Sequence, residues 1–174
     1  MITIVVDCET TGLLQPSVAD IAKQPRIIEL AVARIDRGSV IAERSWLFHP
    51  GEPLSAEIVK ITGITDEMLK GKPSFASALL DIKQAFAGAD TLVAHNAPFD
   101  TGCLTYELRR AACDDFPWPP ETMCTVQEYV HEFGYRPKLT ELYFKKIGKE
   151  LKQEHRALGD VMALVEILFK EKLL

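Results

Sequence analysis

Four acidic residues stand where their spacing could bring them to one metal-dependent site. Asp7 and Glu9 are two residues apart at the end of a short apolar run, whereas Asp100 and Asp160 each open a segment with helical spacing. Because side chains alternate along a strand, we expect the carboxylates of Asp7 and Glu9 on one face and Cys8 turned into packing on the other. Together the four acids are candidate ligands for hard cations.

Four carboxylates in one cleft need a counter-charge. At about 5 Å and an effective dielectric constant of about 20, each pair repels by roughly 3 kcal/mol. Mg²⁺ and Mn²⁺ prefer oxygen ligands, and two such ions a few ångströms apart would use all four carboxylates. A pair of this kind lowers the pKa of a bound water and clamps the attacking and leaving oxygens of a phosphoryl displacement. The four acids therefore predict phosphodiester hydrolysis by a two-metal mechanism.

His155 is the candidate general base. It precedes Asp160 by five residues, which would separate the two side chains by about 140° on one continuous helix. Both can serve one site only if His155 lies on a loop before the helix, where its imidazole can take a proton from the attacking water.

Taken singly, these residues also have structural explanations. An Asp-x-Glu pair occurs on solvated strand edges, and Asp100 alone would be a favourable charge in a first helical turn. His95, at a strand end, is expected to form hydrogen bonds in the outer shell of the site, and His49 and His131 are expected on the surface.

The apolar pattern predicts the elements that position these residues. Strand-like runs cover residues 2–6, 27–35, 40–48, 91–95 and 123–126. Helical spacing covers residues 53–60, 75–86, 98–112 and 158–168. Residues 36–39 carry a hairpin turn signal, and residues 113–120 are typical of a surface loop. Consecutive strands followed by alternating helices and strands predict an α/β fold with a mixed sheet flanked by helices.

Composition limits the class of protein. The 174 residues are 47% hydrophobic, which suits one domain over residues 1–174. No apolar stretch approaches the roughly 18 residues of a membrane span, and Met1 leads directly into a strand, so we expect a cytoplasmic protein without membrane contact. The four cysteines have neither zinc-site nor disulfide spacing and are expected as buried thiols.

The net charge of −5 excludes a protein that holds nucleic acid through an overall positive field. Any such contact must be local. Residues 136–156 contain seven basic and three acidic side chains, a surplus that could follow a phosphate backbone or could simply be a solvated helix face.

Three segments, taken together and in order, resemble the motifs of DEDDh exonucleases, a branch of the DnaQ-like superfamily. They are DCETTG at 7–12, HNAPFD at 95–100 and HRALGD at 155–160. Residues 26–30 and 61–65 also resemble family segments, although Thr62 stands where the family often has histidine. The sister DEDDy group carries tyrosine where this chain has Arg156, so the histidine type is indicated.

This resemblance implies an RNase H-like fold with a five-stranded mixed sheet and two divalent cations, Mg²⁺ or Mn²⁺. It implies a 3′→5′ exonuclease acting on single-stranded DNA or RNA 3′ ends, either beside a DNA polymerase or independently. The implied metal ligands are Asp7, Glu9, Asp100 and Asp160, and the implied base is His155. The implied substrate contacts are Thr10, Thr11, Gly12 and Asn96, together with Phe99, which could contact a base or simply pack.

Two rival functions remain open at this stage. A nucleic-acid-binding module could keep the fold without turnover, but it would be expected to lack one of the motif residues. A helix-rich interaction protein would require all three motif matches to be chance. Within the nuclease hypothesis, DNA is favoured and RNA 3′-end trimming is the alternative.

Overall fold

A mixed sheet forms the middle of the fold. The computed structural model describes residues 1–152 and 156–173. Within that part of the chain the strands are β1 (Ile2–Thr10), β2 (Ile27–Asp36), β3 (Ser39–Leu47), β4 (Thr91–Ala94) and β5 (Glu121–Cys124). Their order is β3-β2-β1-β4-β5, in which β2 runs antiparallel to both β1 and β3, and β4 runs parallel to both β1 and β5. This confirms the predicted five-stranded mixed sheet.

Helices cover both faces of this sheet. The α-helices of the described residues are α1 (Ala56–Thr62), α2 (Asp66–Leu69), α3 (Leu79–Phe86), α4 (Ala97–Arg110), α5 (Thr125–Phe133), α6 (Leu139–Ile147) and α7 (Ala157–Lys170). Helices α3 and α4 pack on the face that carries Ile4 and Val6. Helices α6 and α7 pack on the face that carries Val5 and Ala33. The alternation of neighbouring residues between two layers follows from the period of a strand.

Strand β1 is longer than its apolar run predicts. It continues past Val6 to Thr10 because β2 pairs with it along that length, with Glu9 opposite Glu29. On its other side β1 pairs with β4 only as far as Val5. Asp7 and Glu9 therefore lie inside a strand, at a place where the neighbouring strand β4 has already ended.

A predicted hairpin turn and a predicted helix end are both present. Arg37 and Gly38 join β2 to β3 with φ values of 49° and 71°, the left-handed backbone that a two-residue hairpin turn requires. Helix α1 ends at Gly63, whose φ is 66°, as its position after the helical segment predicts.

The predicted position of the last strand was wrong by two residues. Strand β5 spans Glu121–Cys124 instead of 123–126, because Thr125 already begins α5. The first two residues of β5 are exposed at the edge of the sheet, so they are polar and carry no apolar signal. The preceding loop is also less superficial than expected, since Phe116 is buried and its ring packs 4.9 Å from that of Phe86.

The cysteines and helix lengths agree with the composition. Cys8, Cys103 and Cys124 are buried free thiols, whereas Cys113 is half-buried. Among the described residues, no helix has both the length and the apolar character needed to cross a bilayer.

Candidate active site

Strand β1 and helix α7 bring three carboxylates together. Asp7 and Glu9 alternate with Cys8 on β1, and Asp160 lies in the first turn of α7, as predicted. One oxygen from each of the three acids lies within 4.8 Å of the other two. Oxygen ligands around one Mg²⁺, each at about 2.1 Å, lie roughly 3–4 Å apart. The donor set therefore fits a hard divalent cation after small side-chain rotations.

Asp100 approaches this cluster from the opposite layer of the fold. It lies in the first turn of α4 and is 2% exposed. Its Oδ1 accepts hydrogen bonds from the amide of Cys8 at 3.1 Å and from the Cys8 thiol at 3.2 Å. Because β4 ends before this point, α4 can reach β1 around the strand end. Asp100 thus stands beside the three clustered carboxylates, with only Oδ1 engaged in these two bonds.

Burial and mutual repulsion raise the pKa values of these acids. Burial, followed by the charges of Asp100 and Asp160, raises the pKa of Asp7 well above its ordinary value. Burial, followed by the charges of Asp160 and Glu29, raises the pKa of Glu9 to about 8. Burial raises the pKa of Asp100 to about 7, although its hydrogen bonds from Cys8 act in the other direction. Without a cation, the site holds protons at neutral pH.

A pH dependence of stability follows for the metal-free protein. Glu9 has a pKa of about 8 in the folded chain, against an ordinary value of 4.5. The folded state binds its proton more tightly than the unfolded state, so stability should fall as the pH rises through this window, by on the order of a few kcal/mol. Thermal unfolding in EDTA between pH 5 and pH 8 measures this loss.

A variant and the addition of metal test the same explanation further. Glu9→Gln, which cannot ionise, should flatten the pH dependence. Mg²⁺ or Mn²⁺ should raise the melting temperature more at pH 8 than at pH 5, because protons and cations compete for the same oxygens. A metal-free melting temperature that climbs from pH 5 to pH 8 would contradict the proton-holding site.

A buried glutamate fastens the start of α7 to β2. Glu29 is 1% exposed and lies opposite Glu9. Arg156, the residue before α7, donates to Glu29 from Nη2 at 2.7 Å and from Nε at 3.0 Å. The amide of Ala157 donates to the same carboxylate at 3.1 Å. This clamp fixes the first turn of α7 and therefore the position of Asp160.

The two partners of this clamp should not be equally important for stability. The Arg156 side chain is 39% exposed and can be solvated if its partner changes, whereas the Glu29 side chain is 1% exposed. Arg156→Met leaves a buried carboxylate short of its charged partner and should cost about 3–5 kcal/mol. Glu29→Gln keeps a hydrogen-bonding side chain and should cost about 1–2 kcal/mol. Urea unfolding measures both, with Arg109→Met as an exposed control, and the reverse order would argue against the clamp.

A groove of about 400 Å³ opens beside the carboxylates. Asp7 and Asp160 lie on its lining together with Asn96, Arg136 and Lys138. The groove lining therefore combines acidic side chains with two cationic ones. A negatively charged substrate could bind such a lining through metal ions held by the acids and through the cationic side chains.

His95 lines the same groove and contacts two other segments of the chain. Its Nε2 lies 3.0 Å from the carbonyl oxygen of Pro137, and its Nδ1 lies 3.0 Å from the hydroxyl of Thr125. Because a carbonyl only accepts, Nε2 carries the hydrogen. Burial lowers the pKa of His95, which favours the neutral ring in this arrangement. Both ring nitrogens of His95 are thus engaged in contacts within the protein, and the predicted supporting role of this histidine stays a prediction.

Some of the residues expected to contact the substrate already use their hydrogen-bonding groups or side chains within the protein. The amide of Thr11 donates to the carbonyl of Arg26 at 2.9 Å, so it is already used. The Thr10 hydroxyl donates to the carbonyl of Gly12 at 2.6 Å. Phe99 is half-buried and packs against the core between the sheet and α4. His155, the predicted base, lies outside the described residues.

The structure places at the site two residues, Glu29 and Arg136, for which the sequence pattern predicts no role there. Glu29 was only part of a strand segment, although an acid inside the apolar run IIELAVA was a usable signal. Arg136 was one of seven basic residues, and nothing in its spacing separated it from the others. The position of Arg136 depends on a contact across 40 residues, which no local pattern encodes.

Residues 4–168 match the family model described as exonuclease and named for RNase T. The chain belongs to this exonuclease family. It is thereby a member of the DnaQ-like 3′→5′ exonuclease superfamily, as the three motifs predicted, and its fold is RNase H-like. Membership of the family implies dependence on a divalent metal.

Relatives of known sequence and structure support this assignment. The chain is 34% identical over 167 residues to a PolC-type DNA polymerase III of Halalkalibacterium halodurans, covering 96% of this exonuclease chain but 11% of the polymerase. A structure of Exonuclease X in complex with 5′ overhanging duplex DNA is 25% identical, with a TM-score of 0.65, and the match covers 98% of this chain and 92% of that one.

A third neighbour is similar in fold alone. The nuclease domain of 3′hExo, a DEDDh family member bound to rAMP, is 16% identical with a TM-score of 0.77, covering 99% of this chain and 92% of that one.

Proposed function

We propose that this chain is a DEDDh-type 3′→5′ exonuclease that hydrolyses the terminal phosphodiester bond of single-stranded nucleic acid with two bound divalent cations, Mg²⁺ or Mn²⁺. The observation that carries the proposal is the carboxylate cluster of Asp7, Glu9 and Asp160, whose oxygens lie within 4.8 Å of one another in a chain of the exonuclease family. Asp100 stands beside this cluster as the fourth acid.

The four acids would act as the metal ligands. Asp7 and Glu9 are held by β1, Asp160 by α7 and Asp100 by α4, so three rigid elements fix the site before substrate arrives. Bound cations would supply a water of lowered pKa and offset the charge of the scissile phosphate. We assign to His155 the acceptance of a proton from that water.

The strand end and the loop after β1 would hold the terminal nucleotide. Backbone groups around Thr10 and Gly12 are candidate contacts. Two groups of this loop are already used, because the Gly12 carbonyl accepts from the Thr10 hydroxyl and the Thr11 amide donates to the carbonyl of Arg26. Asn96 and Phe99 would border the nucleotide from the start of α4.

DNA is the favoured substrate. The polymerase relative is a DNA polymerase, and Exonuclease X was solved with DNA. We therefore propose a DNA exonuclease that proofreads beside a polymerase or trims ends independently. RNA 3′-end trimming is the alternative, because the fold neighbour bound to rAMP has the same architecture. A binding module without turnover is disfavoured because all four motif carboxylates are retained.

Single-stranded DNA and RNA oligonucleotides of one sequence, labelled at the 5′ end, test polarity and sugar preference. Incubation with Mg²⁺, with Mn²⁺ and with EDTA should give a ladder that shortens from the 3′ end only when a metal is present. Release of labelled mononucleotide at the earliest times would mean the opposite polarity. Equal or faster shortening of the RNA would favour the alternative substrate.

The extent and location of this activity are further proposals. We propose that residues 1–174 act as one exonuclease domain. Cytoplasmic location stays a prediction, which cell fractionation can check.

A further inference from the structure

The lining of the groove carries one arginine in a defined position. Arg136 lines the same groove as Asp7 and Asp160. Its Nη2 donates to Oδ1 of Asn96 at 2.7 Å. The arginine is otherwise exposed, so the rest of its guanidinium faces the solvent of the groove.

The conformation of Asn96 leaves its side chain free to contact Arg136. Its φ of 72° lies in the left-handed region, and its side chain makes no capping bond to α4, which it precedes. The side chain is instead used to hold Arg136. A second hydrogen bond joins the neighbouring residues, because Nε2 of His95 lies 3.0 Å from the carbonyl oxygen of Pro137. Two adjacent bonds thus fix the segment around Arg136 to the end of β4.

Arg136 differs from several other arginines in its ionic contacts. Among the described residues, no carboxylate lies within ion-pair distance of it, whereas Arg26, Arg44 and Arg110 each pair with an acid. A guanidinium has five N–H donors in a fork that matches phosphate oxygens. Lys138, which lines the same groove, adds a second cationic side chain.

We propose that Arg136, positioned by Asn96, binds a backbone phosphate of the substrate strand. This inference rests on the proposed exonuclease function and deepens it. It explains how a chain with a net charge of −5 holds a polyanion, since the binding charge is concentrated in one groove. Lys138 contributes a second, less constrained charge to the same strand.

Salt dependence of binding tests the contact without relying on turnover. All variants carry Asp7→Ala, which suppresses cleavage, and bind a fluorescent single-stranded oligo-dT in Mg²⁺ over a range of salt concentrations. Each phosphate contact contributes about 0.7 to the slope of log affinity against log salt for a single strand. Arg136→Gln should lower that slope by about 0.7 and weaken binding about tenfold or more at moderate salt.

Three further variants separate charge from position. Arg136→Lys should keep the slope but lose part of the affinity, because a point charge replaces the fork. Asn96→Gly, which tolerates the left-handed backbone, should also keep most of the slope while weakening binding. Lys149→Gln removes an exposed charge that belongs to the same basic segment but lies outside the groove lining. This variant should change neither the salt slope nor the affinity.

An unchanged slope and affinity in Arg136→Gln would overturn this phosphate site, as would equal losses in Arg136→Gln and Lys149→Gln. Failure of the exonuclease proposal would look different, because wild-type protein would then produce no 3′ ladder whatever the binding data show. If the wild type cleaves the oligonucleotide and Arg136→Gln leaves the salt slope unaltered, the proposed exonuclease function stands and only the Arg136–phosphate contact is rejected.

Discussion

Asp7→Ala should lower the rate of metal-dependent cleavage by on the order of a thousandfold or more. Asp7 shares the carboxylate cluster with Glu9 and Asp160, and the charges of Asp100 and Asp160 add to burial in raising its pKa. Under the proposed two-cation mechanism, a side chain close to both of these neighbours would be well suited to contact both cations. Its loss should remove several kcal/mol of transition-state stabilisation.

Single-turnover cleavage of a single-stranded oligonucleotide measures this effect. Asp114→Ala is the matched control, because Asp114 is exposed on the loop before β5, and it should cleave at the wild-type rate. The metal-free melting temperature of Asp7→Ala should be no lower than that of the wild type, because the change removes a half-buried carboxyl group whose ionisation its acidic neighbours oppose. Near wild-type turnover by Asp7→Ala would contradict the assignment of Asp7 as a metal ligand.

His155→Ala should slow hydrolysis by on the order of 10²- to 10⁴-fold and leave metal binding largely intact. The expectation follows from the role of a proton acceptor, which is needed when the water attacks but not when the cations bind. At saturating metal, where protons no longer compete with cations for the carboxylates, the acidic limb that protonation of the base sets in the wild type should disappear in the variant.

Calorimetric titration with Mn²⁺ separates a base from a ligand. Binding by His155→Ala should resemble that of the wild type, and His131→Ala, at an exposed position on α5, should behave as the wild type in both assays. Abolished metal uptake in His155→Ala would make this histidine a ligand instead.

The acidic part of the site was predictable from sequence because its signals are local. The two-residue spacing of Asp7 and Glu9 fixes their common face, and the helical pattern after Asp160 fixes its place in a first turn. The motifs then identified the family. The mixed sheet followed from the order of the runs, whereas β5 was displaced because its exposed residues Glu121 and Thr122 give no apolar signal.

The remaining features depend on contacts between distant parts of the chain. Glu29 and Arg156 are separated by 127 residues and meet only because α7 packs on β2. Asp100 bonds to the Cys8 amide because β4 ends early, which is a matter of strand lengths. Neither propensity nor periodicity carries such information, since both report on neighbours in sequence.

The release of 3′-terminal nucleotide by metal-stripped protein, measured as Mg²⁺ or Mn²⁺ is added back, tests the central claim most directly. The carboxylate site predicts no release in EDTA, release by the wild type that rises and saturates with metal, and a rate at least about a thousandfold lower for Asp7→Ala at every metal concentration. Full release in EDTA, or equal release by the wild type and Asp7→Ala, would contradict a nuclease whose chemistry depends on cations held by these acids.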